Sequence, residues 1–385
     1  MLRIDADTHL YETRGLWARY MDPGERHLAI DIVDDELGHA WLAQGGRRIH
    51  LAEIHRPGDV DAMGAYRERV RRGLPREVPF DEELPLAFFD PGARLAQLDQ
   101  WGVDGAVLFP NYGLLWERPL GDRLHATLAN MAAWNRWAAD VASIAPERLF
   151  PVAHLTLRDL DWLEDQLVKL SAAGVRLAMI APALVDGMAL SHPDLDRAWC
   201  AFEVHGITPV FHVAAFPHPF SDAWYGSDPD PVNPVLSSVF LWSAPALALA
   251  DLAVHGTLQR HPDLRIGVME LSAVWVPWFL LMLDGGFSFH ARFNGRPAHH
   301  LDGPPSRAVL EHVRVSTFCY EDPARLIEQV GEEMFMFSSD YPHAEGLREP
   351  RADYERVAGP IEGRAGDLHY AGNLRWLLRQ DQIHP

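Results

Sequence analysis

Eight short apolar runs, separated mostly by segments of helical periodicity, constrain this chain more than any other feature of its sequence. They are Leu2–Ile4, Val103–Phe109, Leu149–Leu157, Val175–Ile180, Gly206–Val213, Ile266–Met269, Val313–Phe318 and Met334–Phe337. Runs of this length read as strands buried on both faces, and intervening helices join such strands in parallel. Helical spacing is clearest over Ala93–Trp101, Leu120–Ala145, Asp159–Ala173, Ala244–Arg260, Trp278–Asp284 and Pro323–Val330. Eight strand–helix units predict an α/β fold, a (β/α)₈ barrel in which every strand ends at one shared face. Residues 1–385 read as a single barrel of this kind. The charge-rich stretch 13–83 interrupts the rhythm and reads as an elaboration or small β subdomain inserted after the first strand. Its two histidines in HLAEIH, His50 and His55, read as surface or packing residues.

Bulk composition narrows the partners. Hydrophobic residues make up 48% and charged ones 23%, the mix of a soluble globular protein. A formal charge of −20 argues against nucleic acid and against an anionic membrane surface, both of which need a basic face. Two cysteines, Cys200 and Cys319, are too few for a disulfide framework, so a cytoplasmic setting is expected. No apolar stretch reaches the roughly eighteen residues of a membrane span, and no signal-peptide core opens the chain. A small-molecule substrate is the expected partner.

The strand ends carry the chemistry. Asp7 and His9 are two residues apart on the first strand and so share a face. His154 lies near the end of the third run, His212 near the end of the fifth, Glu270 after the sixth and Asp340 after the eighth, with His343 close behind. Buried polar groups without partners are costly, and six at one rim repel unless cations lie among them. The set Asp7, His9, His154, His212, Glu270 and Asp340 is therefore expected to hold metal. Mixed imidazole and carboxylate donors suit Zn²⁺, Fe²⁺ or Mn²⁺. Three carboxylates exceed the charge of one divalent ion, so one or two ions are expected, with His154 and His343 as spare ligands. Trp17, Phe216, Trp224, Tyr225 and Trp275 are candidates to line an apolar pocket.

Three stretches, Asp5–Glu12, His261–Glu270 and Phe337–Gly346, resemble the amidohydrolase superfamily. Within it they are similar to the branch of aminocarboxymuconate semialdehyde decarboxylase and related decarboxylases and hydrolases. The resemblance implies a metal-dependent enzyme, often a homodimer. The superfamily's first-strand His-x-His corresponds here to Asp7-x-His9, its fifth-strand His to His212 and its final Asp to Asp340. Where the decarboxylase has His-Gly-Gly, this chain has Glu270-Leu271-Ser272.

The expected reaction is hydrolysis of a carboxylic ester, thioester or amide by metal-bound hydroxide, with Asp340, Glu270 and His343 as catalytic residues. The alternative is metal-dependent non-oxidative decarboxylation. That reaction calls for a cationic clamp, for which Arg176, Arg265 and Arg292 are available. A third reading, from a different class, is a degenerate barrel that only binds.

Overall fold

A computed structural model describes residues 1–217, 219–224, 235–318 and 320–380; Tyr225 and Cys319 lie outside the described residues. Eight parallel strands form the barrel: β1 (Ile4–Leu10), β5 (Gly105–Pro110), β6 (Leu149–His154), β7 (Leu177–Met179), β8 (Thr208–His212), β9 (Ile266–Met269), β10 (Val313–Ser316) and β11 (Phe335–Met336). They pair in that order, each with the next. The seam is closed by hydrogen bonds from Ala6 N to Phe337 O (3.0 Å), His9 N to Tyr341 O (2.7 Å) and Asp340 N to Asp7 O (2.9 Å). Every residue of these strands is buried, which is why they read as continuous apolar runs. Ile4, Ala6, Val107, Phe109, Val152, Met179, Val210, Met269 and Met336 fill one core cluster contributed by strands around the barrel.

Strand β1 is the exception in composition, since Asp5, Asp7, Thr8 and His9 are all buried in it. Its register against β5 slips between Asp5 and Thr8, so three steps on β1 face two on β5. An extra residue of this kind flips the side-chain alternation and re-aims the residues beyond it, His9 among them.

The expected helices occur in order, two of them with different extents, and helices Asp196–His205 and Pro305–His312 are additional to those expected. The segment expected as one helix, Ala244–Arg260, is two: Ser243–Val254 and Thr257–Arg260, separated at Gly256. The helix expected over Trp278–Asp284 runs from Val276 to Asn294. Only its inner face is buried, at Val276, Phe279 and Leu283, while its outer face exposes Leu281, Phe289 and Phe293. That two-sided apolarity hides its period. The stretch Val235–Val254 is apolar and long enough to cross a membrane. It is divided into helices Val235–Val239 and Ser243–Val254, and the second buries Leu249 and Leu252 in the barrel's largest core cluster.

The inserted region holds three antiparallel strands, β2 (Ile30–Asp34), β3 (Ala40–Gln44) and β4 (Arg47–Leu51), and a helix, Val60–Arg71. Its Ile30, Ile32, Leu42 and Phe80 share a core cluster with Trp17, Trp116 and Trp134. A strap joins it to the loop after β11. Gly58 N donates to Ala344 O (2.7 Å), and Arg348 donates to Pro57 O (2.8 Å) and Gly58 O (3.1 Å). Gly58 has φ 70°, a conformation that favours glycine, and a Cβ there would sit 2.7 Å from Arg348 Nε and displace the guanidinium.

Candidate metal centre

Two histidines reach the centre with their tautomers fixed. His9 Nδ1–H donates to Pro110 O (3.1 Å) and His212 Nδ1–H to Val213 O (2.8 Å). Each leaves the Nε2 lone pair facing inward, as a metal ligand requires. Around them, His212 Nε2 lies 3.3 Å from Asp7 Oδ1 and 3.1 Å from Glu270 Oε2. His9 Nε2 lies 3.5 Å from Asp7 Oδ1 and 3.7 Å from Glu270 Oε2. Donor atoms about 2.1 Å from one ion stand roughly 3.0–3.4 Å apart, so these separations approach those of ligands to a single cation.

A second grouping adjoins the first. Asp340 Oδ1 is 3.3 Å from His9 Nε2 and 2.7 Å from His343 Nδ1, and His343 Nδ1 is 3.7 Å from Glu270 Oε1. The sets Asp7, His9, His212, Glu270 and His9, Glu270, Asp340, His343 each keep one donor atom per residue within 4.8 Å of the others. They share His9 and Glu270. An imidazole nitrogen has one lone pair and serves one ion, whereas a carboxylate can span two.

The residues fit a divalent ion on a direct test. Asp7 Oδ2, His9 Nε2, Glu270 Oε2, both Asp340 oxygens and His343 Nδ1 are all buried without a hydrogen-bond partner. Buried polar atoms are otherwise almost always satisfied, and several converging orphans mark a position for a cation. The protein's own charges agree. Burial, then the neighbouring Asp340, pushes the Glu270 carboxyl up to about 8. A dication beside it reverses that, because it favours the ionised form.

Backbone conformation also singles out this rim. Glu270 (φ 53°), which follows β9, and Asp340 (φ 57°), four residues beyond β11, are left-handed although neither is glycine. Such geometry is costly and persists where surrounding structure imposes it. Beyond Glu270, Glu321 does the imposing. Its Oε1 accepts from Ser272 Oγ (2.5 Å) and Ala273 N (2.8 Å), and its Oε2 accepts from Phe318 N (2.8 Å). Beyond Asp340, the loop folds back so tightly that a Cβ on Gly346 would lie 2.4 Å from Asp340 O.

The sequence-expected residues divide accordingly. Asp7, His9, His212, Glu270, Asp340 and His343 come together. His154 does not join them: its Nε2 pairs with Glu117 Oε2 at 2.9 Å. Glu12 instead accepts from Tyr112 N and Gly113 N, both at 2.7 Å, and ties β1 to the turn after β5. The arginines Arg176 and Arg265 precede β7 and β9, at the opposite end of the barrel, and Arg292 lies near the end of the long outer helix. Trp17 and Trp275 are buried, Phe216 lines a cavity beside Glu117 and Thr156, and Trp224 is exposed.

Three contributors are not apparent from sequence. His55, from the insertion, places its ring 4.8 Å from that of His343. Asn111 Oδ1 accepts from His343 Nε2–H at 3.1 Å. The fully buried Arg94 donates to His9 O (2.7 Å) and Thr8 Oγ1 (3.1 Å), gripping β1 from behind. Asp90-Pro91 does mark the start of Arg94's helix, but nothing local to Arg94 shows which way it points.

With Nε2–H committed to Asn111, the 2.7 Å approach of His343 Nδ1 to Asp340 brings two lone pairs together unless a proton lies on one of them. Burial works against a charged imidazole here, yet Asp340 and Glu270 outweigh it and hold His343 well above the usual histidine range.

The amidohydrolase family model matches residues 4–360. No protein of curated function matches the sequence. Solved structures similar to this chain include an amidohydrolase from Mycobacterium avium subsp. paratuberculosis K-10, 22% identical with TM-score 0.78, covering 98% of this chain and 99% of that one. Another is 5-carboxyvanillate decarboxylase from Sphingomonas paucimobilis, at 19% identity and TM-score 0.62, covering 98% and 99%. A third is the 5-carboxyvanillate decarboxylase of Novosphingobium aromaticivorans, solved with manganese and 4-hydroxy-3-methoxy-5-nitrobenzoic acid, at 17% identity and TM-score 0.63, covering 98% and 96%. These likenesses correct the expectation of ester, thioester or amide hydrolysis. Structures aligned along the whole of this chain include those of decarboxylases, which break a carbon–carbon bond. The donor set matches a divalent transition-metal site of the kind that carries manganese in such a relative. The chain belongs to the amidohydrolase family.

Proposed function

We propose that this protein is a divalent-metal-dependent, non-oxidative decarboxylase. Its substrate class is a carboxylic acid whose carboxyl-bearing carbon accepts a proton, such as a hydroxy-substituted aromatic acid. The observation that carries the reading is the Asp340–His343 pair set beside a complete metal-donor set. Decarboxylation needs an electrophilic anchor for the substrate and an acid for the carbon, and the pair and the donor set can supply both.

Asp7, His9, His212 and Glu270 are the residues that hold the ion, which when bound supplies a Lewis acid to fix the substrate's carboxylate and a neighbouring oxygen. His343, aimed by Asn111 and charged beside Asp340, gives its Nδ1 proton to the carbon bearing the carboxylate. The carbon–carbon bond then breaks, its electron pair remains with the ring, and carbon dioxide leaves. Solvent restores the proton to the pair. Arg94 and Glu321 act at one remove, by holding the backbone that carries His9 and the loop beyond Glu270. His55 covers the outer side of the His343 ring and excludes water from the proton-carrying pair.

The test is carbon dioxide release from a panel of hydroxybenzoates by manganese-loaded protein. Release that stops on chelation and returns with added manganese is the expected outcome. A metal-loaded protein that releases no carbon dioxide from any member of the panel overturns the reading.

A further inference from the structure

The long outer helix Val276–Asn294 turns a second apolar face to solvent. Trp278, Leu281, Met282, Phe289 and Phe293 are each 50–81% exposed. Helical spacing sets the five in one stripe, away from the buried Val276, Phe279 and Leu283. No carboxylate interrupts it. Asp284, the helix's one acidic residue, accepts instead from Ser306 N (3.2 Å) and Ser306 Oγ (2.7 Å). In a chain of net charge −20 this is a face on which two copies can meet without opposing acidic groups.

The area suits a specific contact. At about 200 Å² for a large side chain, the five leave roughly 600 Å² of apolar surface open. Patches of that size on a monomer mark interaction sites. Two copies joined there bury on the order of 1,200 Å², which reaches the range of stable protein interfaces.

The middle of the stripe says what covers it. Gly285 and Gly286 are exposed, and a Cβ on either would meet nothing within 4 Å, so the chain's own packing does not call for them. Glycine inside a helix costs about 1 kcal/mol relative to alanine, and what it allows is close approach of another backbone. The stripe is symmetrical about this pair. Trp278 and Phe293 lie equally far from the midpoint between the two glycines, as do Met282 and Phe289. A two-fold axis through that midpoint, with the helices antiparallel, sets Trp278 against the partner's Phe293 and Met282 against the partner's Phe289. Ring on ring and thioether on ring are favourable pairings. An isologous contact demands such self-complementarity, whereas a lipid surface or an unrelated protein does not.

We infer that this face is the two-fold interface of a homodimer, with Gly285 and Gly286 at the axis. The inference is independent of the reaction assigned to the metal centre.

Sedimentation of the full-length, metal-loaded protein tests it. The wild type should run at twice the chain mass at about 10 µM, and Phe289→Glu/Phe293→Glu should weaken the dimer at least about a hundredfold. Far-ultraviolet circular dichroism and metal content serve as fold controls. Cross-linking tests the register. In a Cys200→Ser/Cys319→Ser background, Met282→Cys with Phe289→Cys should give a covalent dimer on mild oxidation. One helix holds its own two cysteines about 10 Å apart, too far to join to each other. Trp278→Cys with Met282→Cys, both on one side of the axis, should give no covalent dimer. A wild type that stays monomeric overturns the inference, whether or not it binds phosphatidylcholine vesicles. So does a dimer that the two glutamates leave intact, or one that forms without the expected cross-link.

Discussion

The ends of β6 and β8 make an instructive pair. Each is an apolar strand that finishes in a fully buried histidine, His154 on one and His212 on the other. At β6 the imidazole is matched at Nε2, and only its Nδ1 lacks a partner. His154 Nε2 meets Glu117 at 2.9 Å, and its backbone N–H and carbonyl bond the Asn135 amide at 2.8 and 3.2 Å. At β8 the imidazole faces two carboxylates that also face His9, while Asp340 and His343 crowd the same space. Charge and donors are in excess there, and several buried oxygens have no partner. One carboxylate per imidazole builds scaffold. Three carboxylates around three imidazoles build a place for a cation. What separates the two is how many other strands converge, not the residue at the strand's end.

Substitution at the two ends should break the comparison cleanly. His212→Ala is expected to lose bound metal and at least about a thousandfold in turnover. His154→Ala should keep its metal and lose only about 1–3 kcal/mol of stability, read by thermal unfolding. Metal retained by His212→Ala would move the ion elsewhere. Next in size, His343→Gln should keep the ion held by the Asp7, His9, His212 set while turnover falls about 10²–10⁴-fold, the usual worth of a positioned acid. Elemental analysis sharpens this further: a fall from two ions to one makes His343 a ligand of the second ion.

A third buried histidine, His369, has no carboxylate within ion-pair distance among the described residues and bonds Tyr354 Oη at 2.9 Å. Burial lowers it to about 4 from 6.5. The unfolded chain therefore binds a proton between pH 6.5 and 4 that the folded chain refuses. Stability rises with pH across that window, and acidification through it removes about 3 kcal/mol. Urea unfolding of the wild type and His369→Gln should show this slope in the first and its loss in the second. Smallest is Gly346→Ala. Its new Cβ presses on Asp340 O, at a cost of about 1–3 kcal/mol, with metal affinity weakened through Asp340. An unchanged melting temperature and metal affinity would show that the loop yields freely.

The barrel is legible in the sequence because parallel strands buried on both faces write themselves as apolar runs; β9 reads true to the residue and most others to within a few, whereas β1, expected over Leu2–Ile4, runs on through its polar residues to Leu10. Its donors are legible for the same reason, since Asp7, His9, His212, Glu270 and Asp340 stand out against apolar neighbours. Contacts made across long separations are not legible. His55 sits in a polar stretch like any surface histidine, and only the strap from Gly58 to Ala344 and Arg348 brings it to His343. His154 misleads because a strand-end histidine announces its address and not its partner. The reaction is misjudged from sequence for a related reason: Asp340 looks like a free base until His343 and Asn111 are seen around it.

Because β1 is held on one side by β5 and on the other by β11, the molecule cannot finish its first strand until its last one exists. During synthesis, Ile4–Leu10 can pair with Gly105–Pro110 once that strand has emerged, but its other edge has no partner until more than two hundred further residues follow. The ligands near residue 8 and those near residue 341 are apart for all of that interval. The Asp340–His343 pair is therefore the last part of the centre to arrive, and a ribosome-stalled chain ending before Ser338 carries Asp7, His9, His212 and Glu270 without the two groups that stand beside them.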